Sequence, residues 1–325
     1  MEQPLTWVVG RGGLLGRQVE LCLAGTGLWR PAAHVPWSDE DAAAAILAGE
    51  AERFLSAAGA HGGPWRILWC AGAGVVATPP EALAQETRLV ERALADLAAR
   101  LAERPGVADR GTVMLASSAG GVYAASPGRQ PFDEESPVCA LAPYGREKLA
   151  QEDLFRALGA RAGVDVLIGR FSNLYGPGQS LDKPQGLISH IGRAALRREP
   201  VSIYVSLDTI RDYLFAPDAG RMVVAALARM EDEREGRGAP ATVVKVFASE
   251  VETTIASVLG AWRRALGRPP LVALAARPAT GLQPRLLSFR SRVWPEVLGR
   301  PTLLSLGVEA VRRDQLARLL AGGLR

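Results

Sequence analysis

The chain has 325 residues, of which 48% are hydrophobic and 22% charged, and its formal net charge is +4. This is a globular composition, and no apolar run reaches the ~20 residues that a membrane-spanning helix needs. Basic residues are dispersed among acidic ones rather than interleaved with aromatic residues, which argues against a nucleic-acid partner. Three irregularly spaced cysteines show no metal-ligand spacing and are typical of a reducing compartment.

Short apolar runs alternate with helical periodicities along the chain. The run LTWVV at 5–9 predicts a buried strand that ends in Gly10, and residues 14–24 continue as a helix. Similar runs predict strands at 66–70, 112–116, 164–170, 201–205 and 241–248. The sequence predicts further helices at 81–104, 144–160, 186–197 and 217–231. This alternation implies an α/β fold in which helices cover both faces of a parallel sheet.

The strand at 5–9 leads into the glycine-rich segment GRGGLLG, residues 10–16, which opens the first helix. Glycines let a backbone approach a pyrophosphate closely, and the helix N-terminus supplies N–H donors and a positive dipole. An ordinary strand-to-helix turn is the alternative, but the position after the first strand favours a dinucleotide site. The candidate contacts are Gly10, Arg11, Gly13, Leu14, Leu15 and Gly16, together with Ala71 and Gly72 after the strand at 66–70.

The group that would bind the adenosine ribose is less clearly marked. In NAD sites an acidic residue about 20 positions further on contacts the ribose 2′-hydroxyl. The second strand is poorly marked here, its end reads HVPWSD at 34–39, and Asp39 is the available carboxylate. Arg11 inside the glycine loop would instead suit a 2′-phosphate. The sequence therefore leaves both NAD and NADP open.

A serine pair, a tyrosine and a lysine form the candidate reaction centre. Tyr144 and Lys148 are four residues apart, so a helix that starts near Pro143 places both side chains on one face. The strand at 112–116 ends in Ser117 and Ser118, at the sheet edge where such folds bind ligands. We expect the lysine ammonium to lower the pKa of the Tyr144 phenol. The phenolate then takes a hydroxyl proton while a nicotinamide accepts hydride.

Together these segments resemble an extended short-chain dehydrogenase/reductase, and most closely the NAD-dependent epimerase/dehydratase family that acts on nucleotide sugars. The resemblance rests on the glycine loop, SSAGGVY at 117–123, YGREK at 144–148 and RFSNLYGPG at 170–178. It extends over nearly the whole chain through RDYLFAPD at 211–218, VFAS at 246–249, TTIA at 253–256 and LSLGV at 304–308. It implies a Rossmann-type doubly wound parallel sheet in residues 1–175 and a smaller α/β substrate domain in residues 176–325. The strand at 241–248 is implied to return to the first domain.

The resemblance also assigns roles at the reaction centre. Tyr144 is implied to be the base, Lys148 to contact the nicotinamide ribose, and Ser118 to hold the reacting sugar hydroxyl. Ser117 is implied to contact the cofactor. Because the segment 117–123 is one residue longer than the family form, the two serines cannot be ranked from the sequence.

Four residues outside the reaction centre are implied to bind the nucleotide sugar. Asn173, Arg211 and Arg277 would hold the nucleotide diphosphate, since guanidinium forks suit a pyrophosphate. A surface salt bridge is the alternative for Arg211, but the RDY context favours the ligand. Tyr204 would pack against the nucleotide base, with an ordinary core aromatic as the alternative.

The resemblance implies a reaction as well as a fold. Ala119, Gly120 and Gly121 stand where sugar 4,6-dehydratases carry Asp-Glu, which argues against dehydration. The first expectation is a nucleotide-sugar epimerase that uses NAD(P), with hydride transfer at the sugar C4 and a 4-keto intermediate. The second is an NADPH-dependent 4-keto-sugar reductase, which Arg11 and the lack of an early Asp favour. The third is a catalytically silent cofactor-binding sensor or scaffold, against which the intact Ser, Tyr and Lys set argues.

Helices 81–104 and 144–160 resemble the pair that forms a four-helix dimer interface in this family, so a homodimer is implied. The start MEQPLTWVVG lacks the features of a signal peptide, and we expect a cytoplasmic enzyme with no membrane or nucleic-acid partner. His34, His61 and His190 show no pairing that suggests catalysis or a metal site, so we expect no metal.

Overall fold

The computed structural model describes residues 3–25, 27–181, 186–234, 236–275 and 284–322. In chain order its elements are β1 (Leu5–Val9), α1 (Leu14–Cys22), α2 (Glu40–His61), β2 (Trp65–Trp69), α3 (Pro80–Ala102), α4 (Pro105–Ala108), β3 (Gly111–Ser118), α5 (Ala119–Val122), α6 (Pro143–Ala162), β4 (Asp165–Phe171), β5 (Asn173–Tyr175), α7 (Leu187–Arg197), β6 (Val201–Ile203), β7 (Ile210–Phe215), α8 (Ala216–Arg234), β8 (Thr242–Phe247), β9 (Glu252–Thr254), α9 (Ile255–Leu266), β10 (Val272–Leu274), β11 (Leu286–Leu287) and α10 (Leu304–Leu320).

The central sheet contains five parallel strands in the order β1-β2-β3-β4-β8. Successive side chains of a strand point to opposite faces, so apolar runs such as LTWVV supply two cores at once. Trp7 and Val9 pack on one face with residues of α2, α3 and α6, and Val8 packs on the other with residues of α1 and α8. The predicted Rossmann-type α/β fold is confirmed.

The expected second strand is not formed between α1 and α2. Among the described residues of that segment, the β-pairing is limited to a single parallel bridge between Leu28 and Thr6. The prediction of a strand end at 34–39 is wrong, because Asp39 accepts the backbone N–H of Ala42 and caps α2. Two prolines lie in this segment, and proline cannot donate to a strand ladder. One half of the doubly wound sheet is therefore reduced to this bridge beside β1.

After β4 the described part of the chain forms two small sheets and three further α-helices, in addition to α8 and β8, which belong to the central sheet and its cover. Strands β5, β7, β9 and β11 form one small sheet, and β6 pairs with β10 in another. Helices α7, α9 and α10 pack around a cluster that contains Tyr175, Ile191, Trp262 and Val311. Strand β8 lies beside β4 in the central sheet. Within the described ranges no helix is both long and apolar enough to cross a membrane.

Candidate active site

The glycine loop packs directly on the end of β2. Gly10 has φ +86°, and a Cβ there would overlap the backbone of Ala71. A Cβ on Gly16 would lie 2.5 Å from the carbonyl oxygen of Gly10, so α1 can approach the loop only with glycine at this position. Gly13 is the N-cap of α1 and provides no side-chain cap, while Arg11 is exposed. An open helix N-terminus above a tight glycine turn fits the pyrophosphate of a dinucleotide.

Ser118 and Tyr144 are brought together at the carboxyl end of β3. The Ser118 hydroxyl accepts the N–H of Gly121 at 3.1 Å, and the Tyr144 phenol lies near enough for this hydroxyl to lower its pKa. The start of α6 packs against α5 so closely that a Cβ on Gly145 would overlap the carbonyl of Gly121. This contact between two glycines sets the position of Tyr144 beside Ser118.

The side chain of Ser117 points into a buried network instead. Its hydroxyl donates to Glu152 Oε1 at 2.7 Å, and Arg170 donates to both oxygens of the same carboxylate at 2.9 and 2.7 Å. Glu152 is completely buried. The hydroxyl beside Tyr144 is therefore that of Ser118, and the Ser117 hydroxyl is held by Glu152. Sequence reasoning missed Glu152, although it follows Tyr144 and Lys148 at the same four-residue spacing on α6.

Lys148 is buried below the loop that follows β2. Its Nζ donates to Gln151 Oε1 at 2.9 Å, and Gln151 Nε2 donates to Thr87 Oγ1 at 3.2 Å. A Cβ built on Gly72 would lie 3.6 Å from the Lys148 ammonium nitrogen. The structure thus places Lys148 beside Gly72, and the contact of both residues with a nicotinamide ribose stays a prediction. Gln151 and Thr87 were not predicted.

The pKa of Tyr144 is shifted in the direction opposite to the predicted one. Burial raises the pKa of the phenol above its ordinary value, the hydrogen bond with Ser118 lowers it, and the carboxylate of Glu86 raises it. The net shift is upward. The physical reason is that burial destabilises the phenolate by more than the hydroxyl of Ser118 stabilises it. Glu86, on α3, was not predicted as a site residue.

Asn173 and Arg211 lie on neighbouring strands close to the reaction centre. Ser118 is in register with Phe171, and Asn173 follows two residues later at the start of β5. β5 pairs with β7, and the Asn173 amide donates to the carbonyl of Asp212 at 2.9 Å. Asn173 thus follows the strand residue beside Ser118 and is hydrogen-bonded to the neighbour of Arg211 on β7.

Arg211 carries a positive charge in a largely buried place. Burial lowers the pKa of its guanidinium, and Tyr213 rather than a carboxylate opposes that shift. Its Nη1 donates to the neighbouring carbonyl of Ile210 at 2.7 Å. A buried cation is costly unless an anion accompanies it, so this place suits an anionic ligand.

The remaining predicted residues are placed differently. Tyr204 follows β6, which pairs with β10 in a small sheet separate from the one that carries Asn173 and Arg211. Arg277 lies outside the described residues. Within the described ranges, no cluster of three or more His, Cys, Asp or Glu side chains could hold a metal ion.

An open cavity of about 870 Å³ lies beside α1, next to the glycine loop. Arg11 and Arg30 line it, and both guanidinium groups contact the carboxylate of Glu20, at 2.9 and 3.4 Å. The cavity opens where the second strand of the sheet is reduced to the Leu28 bridge. The side chains near the predicted adenosine end are therefore mainly cationic.

Comparison with protein-family models gives one match over most of the chain. Residues 8–239 match the NAD dependent epimerase/dehydratase family. The chain belongs to this family. Membership confirms the predicted enzyme class and, because the family is NAD dependent, a nicotinamide dinucleotide cofactor at the level of the family. The positions of Tyr144, Lys148 and the glycine loop agree with that assignment.

Individual relatives differ in the reactions named for them. A putative UDP-glucose 4-epimerase of Methanocaldococcus jannaschii is 29% identical over 136 residues, 42% of this chain and 44% of the relative. A dTDP-4-dehydro-6-deoxyglucose reductase of Escherichia coli is 31% identical over 121 residues, 37% of each chain. The chain thus matches about half or less of the length of these relatives. At this identity the shared family is clear and the individual reaction is not.

Solved structures resemble the whole fold. A UDP-glucose-4-epimerase of Stenotrophomonas maltophila, with bound NAD and formylated UDP-arabinopyranose, has a TM-score of 0.77 at 18% identity. The match covers 98% of this chain and all of the other. This likeness shows a common fold.

Proposed function

We propose that the protein is an NAD(P)-dependent nucleotide-sugar 4-epimerase. The observation that carries the proposal is the placement of the Tyr144 phenol beside the Ser118 hydroxyl, on the same helix as buried Lys148. The pair lies at the carboxyl end of β3, at the edge of the sheet. A hydroxyl, a phenol and an ammonium group so arranged suit proton exchange with a secondary alcohol.

The chain's own residues would bind, orient and exchange a proton. The glycine loop and the N-terminus of α1 would hold the pyrophosphate, and Lys148 would contact the ribose next to Gly72. When bound, the nicotinamide accepts hydride from the sugar and returns it. Ser118 would hold the sugar oxygen, and Tyr144 would take its proton and later give it back. The segment after Ser118 contains Ala119, Gly120 and Gly121, so it offers no carboxylate for elimination of water.

The nucleotide diphosphate would bind on the substrate side of the reaction centre. The partly buried guanidinium of Arg211 would gain a charge-assisted contact with a phosphate, which offsets the cost of its burial. Asn173 would assist from the neighbouring strand, and Tyr204 and Arg277 stay predictions as further contacts.

The test is to incubate the purified protein with UDP-, dTDP- and GDP-sugars and to identify products by chromatography. An epimerase regenerates its cofactor at each turnover, so we expect retained NAD(P) in the purified protein and turnover without added cofactor. A Tyr144→Phe variant should lose at least about 100-fold in rate. If the protein retains no cofactor and turns over only with added NADPH, the epimerase proposal is wrong.

A 4-keto-sugar reductase is the second candidate, and the cavity beside α1 favours it. Arg11 and Arg30 share Glu20 there, and a 2′-phosphate of NADP would offer them a dianion in its place. We expect Arg30→Ala to weaken NADP binding by about tenfold or more and NAD binding by much less. Titration of NAD and NADP against the wild type and this variant shows which cofactor the site prefers.

A cytoplasmic location stays a prediction.

We also propose a homodimer through the outer faces of α3 and α6. These helices pack against each other and expose small residues, including Ala95 and Ala99 on α3 and Ala150 and Ala157 on α6. Ala157→Arg should shift sedimentation towards the monomer, because an arginine does not fit between packed helices. Ala228 is exposed on α8, which packs on the opposite face of the central sheet. Ala228→Arg should therefore leave sedimentation unchanged. A wild-type protein that sediments as a monomer contradicts the proposal.

A further inference from the structure

Glu86 stands two turns inside α3, where that helix faces the loop after β2. Its Oε1 accepts the backbone N–H of Ala73 at 2.7 Å. A Cβ on Gly74 would lie 3.2 Å from its Oε2. The segment AGAG at 71–74 has no polar side chain of its own. Glu86 therefore supplies a side-chain acceptor that fixes this loop against α3.

The same carboxylate borders the reaction centre. A Cβ built on Gly72 would lie 3.6 Å from Glu86 Oε2 and 3.6 Å from Lys148 Nζ. The carboxylate and the ammonium group therefore border the same point, with only a glycine there. The next residue of α3, Thr87, accepts from Gln151, which in turn accepts from Lys148. Two adjacent residues of α3 thus border the lysine site, Glu86 at Gly72 and Thr87 through Gln151.

The charged and polar groups around Tyr144 come from three elements. Ser118 lies at the end of β3, Lys148 on α6 with Tyr144 itself, and Glu86 on α3, while the loop 71–74 adds no titratable side chain. Of these, the Ser118 hydrogen bond lowers the pKa of Tyr144 and the Glu86 charge raises it. A negative charge at position 86 therefore favours the protonated form of the phenol.

We propose that Glu86 is a positioning residue of the reaction centre. Its carboxylate holds the loop 71–74 in place for the cofactor and sets the charge beside Tyr144 and Lys148. The inference rests on the proposed role of Tyr144 in proton exchange. Its loop and charge components are separable, because glutamine keeps the acceptor for Ala73 without the charge and alanine keeps neither.

The test compares Glu86→Gln and Glu86→Ala with Glu91→Gln, a charge removal on the exposed side of the same helix. The first measurement is the tyrosinate absorbance of each protein against pH, with circular dichroism recording the native fold at every point. Subtracting the curve of the matching Tyr144→Phe protein isolates Tyr144 from the other four tyrosines. The second measurement is NAD and NADP affinity by protein fluorescence. Neither measurement needs a known sugar substrate.

We expect the Tyr144 curve to move to lower pH by about 0.5–1 unit in Glu86→Gln and not to move in Glu91→Gln. We expect cofactor affinity to fall about tenfold in Glu86→Ala, where the Ala73 N–H loses its acceptor, and at most about twofold in Glu86→Gln. An unmoved Tyr144 curve in Glu86→Gln overturns the charge role. Equal cofactor affinity in all three variants overturns the loop role. Both results stand whether or not the protein proves to be an epimerase.

Discussion

Lysine is rare in this chain, and the lysines within the described residues are both buried. Only three of the 38 basic residues are lysines, and Lys148 and Lys245 are 7% and 1% exposed. Most surface ion pairs use arginine. A compact ammonium group can be enclosed by neutral acceptors such as Gln151 Oε1, whereas a planar guanidinium needs more room. The limited space between Gly72 and Gln151 thus explains why position 148 carries a lysine and not an arginine.

Replacement of Lys148 by arginine tests this argument. The larger head group would press on Gly72 and break the contact with Gln151, so we expect cofactor affinity or turnover to fall at least about tenfold. Arg146→Lys, on the exposed side of the same helix, is the matched control and should behave as the wild type. Cofactor titration and initial rates give the comparison. A Lys148→Arg protein with unchanged affinity and rate would remove the size argument.

The raised pKa of Tyr144 predicts the pH dependence of the reaction. A base must be deprotonated to accept a proton, so the rate of sugar oxidation should rise with pH across the neutral and alkaline range, below the raised pKa. Reduction needs the protonated phenol and should stay flat over that range. Because the Ser118 hydrogen bond lowers the pKa, Ser118→Ala should move the rising limb to higher pH, whereas Ser118→Thr should not. A pH–rate profile unchanged in Ser118→Ala contradicts this assignment.

The candidate reaction centre could be proposed from local spacing, but the residues that hold it in place could not. Tyr144 and Lys148 share a helix face, and Ser118 ends a strand, so short sequence patterns predict them. Glu86 and Glu152 act on residues that are distant in sequence, through contacts that exist only once α3, α6 and β3 pack together. For the same reason the predicted direction of the shift in the pKa of Tyr144 was wrong, because its burial arises only in the packed site.

At the scale of elements, apolar periodicity predicted most of the strands and helices. It failed where an element has little difference in polarity between its faces. Helix α2 contains many alanines, as in AAAAILAGEAERFLSAAGAH, and gives little difference between its faces. The predicted second strand is wrong because its prolines cannot pair. Strands β9 to β11 are two or three residues long, too short for a periodic signal.

The space around two helical glycines, Gly145 in α6 and Gly49 in α2, predicts opposite effects of alanine on stability. A Cβ at Gly145 would overlap the Gly121 carbonyl, so Gly145→Ala should lower the free energy of unfolding by about 1–3 kcal/mol and displace Tyr144. Gly49 lies in α2 with nothing near its Cβ position. Gly49→Ala should therefore raise the free energy of unfolding by about 0.5–1 kcal/mol. Denaturant titration and rate measurements check both, and a Gly145→Ala enzyme with full stability and rate would contradict the close contact.

At the scale of the whole molecule, Lys245 couples protonation to folding. It lies on β8 in the central sheet, and its Nζ donates to Ser291 Oγ at 2.9 Å and to the carbonyl of Val293 at 2.5 Å. Burial lowers the pKa of this lysine to about 8, although Glu134 and Glu250 act in the opposite direction. The sheet is thereby joined to Ser291 and Val293 through a buried lysine whose ammonium form is less favourable than that of an exposed lysine.

The sign of the linkage follows from the two pKa values of Lys245, about 8 in the folded chain and 10.5 in the unfolded chain. Between these pH values the unfolded chain binds more protons, so the stability rises with pH. The free energy of unfolding rises by about 3 kcal/mol between the two pKa values. Below pH 8 the lysine is charged in both states, so its destabilising effect no longer changes with pH. Lys245→Met removes the titrating group. The free energy of unfolding of the wild type minus that of Lys245→Met should therefore rise between pH 8 and pH 10, measured by urea titration. Parallel curves for the two proteins would show that Lys245 keeps its ordinary pKa in the folded chain.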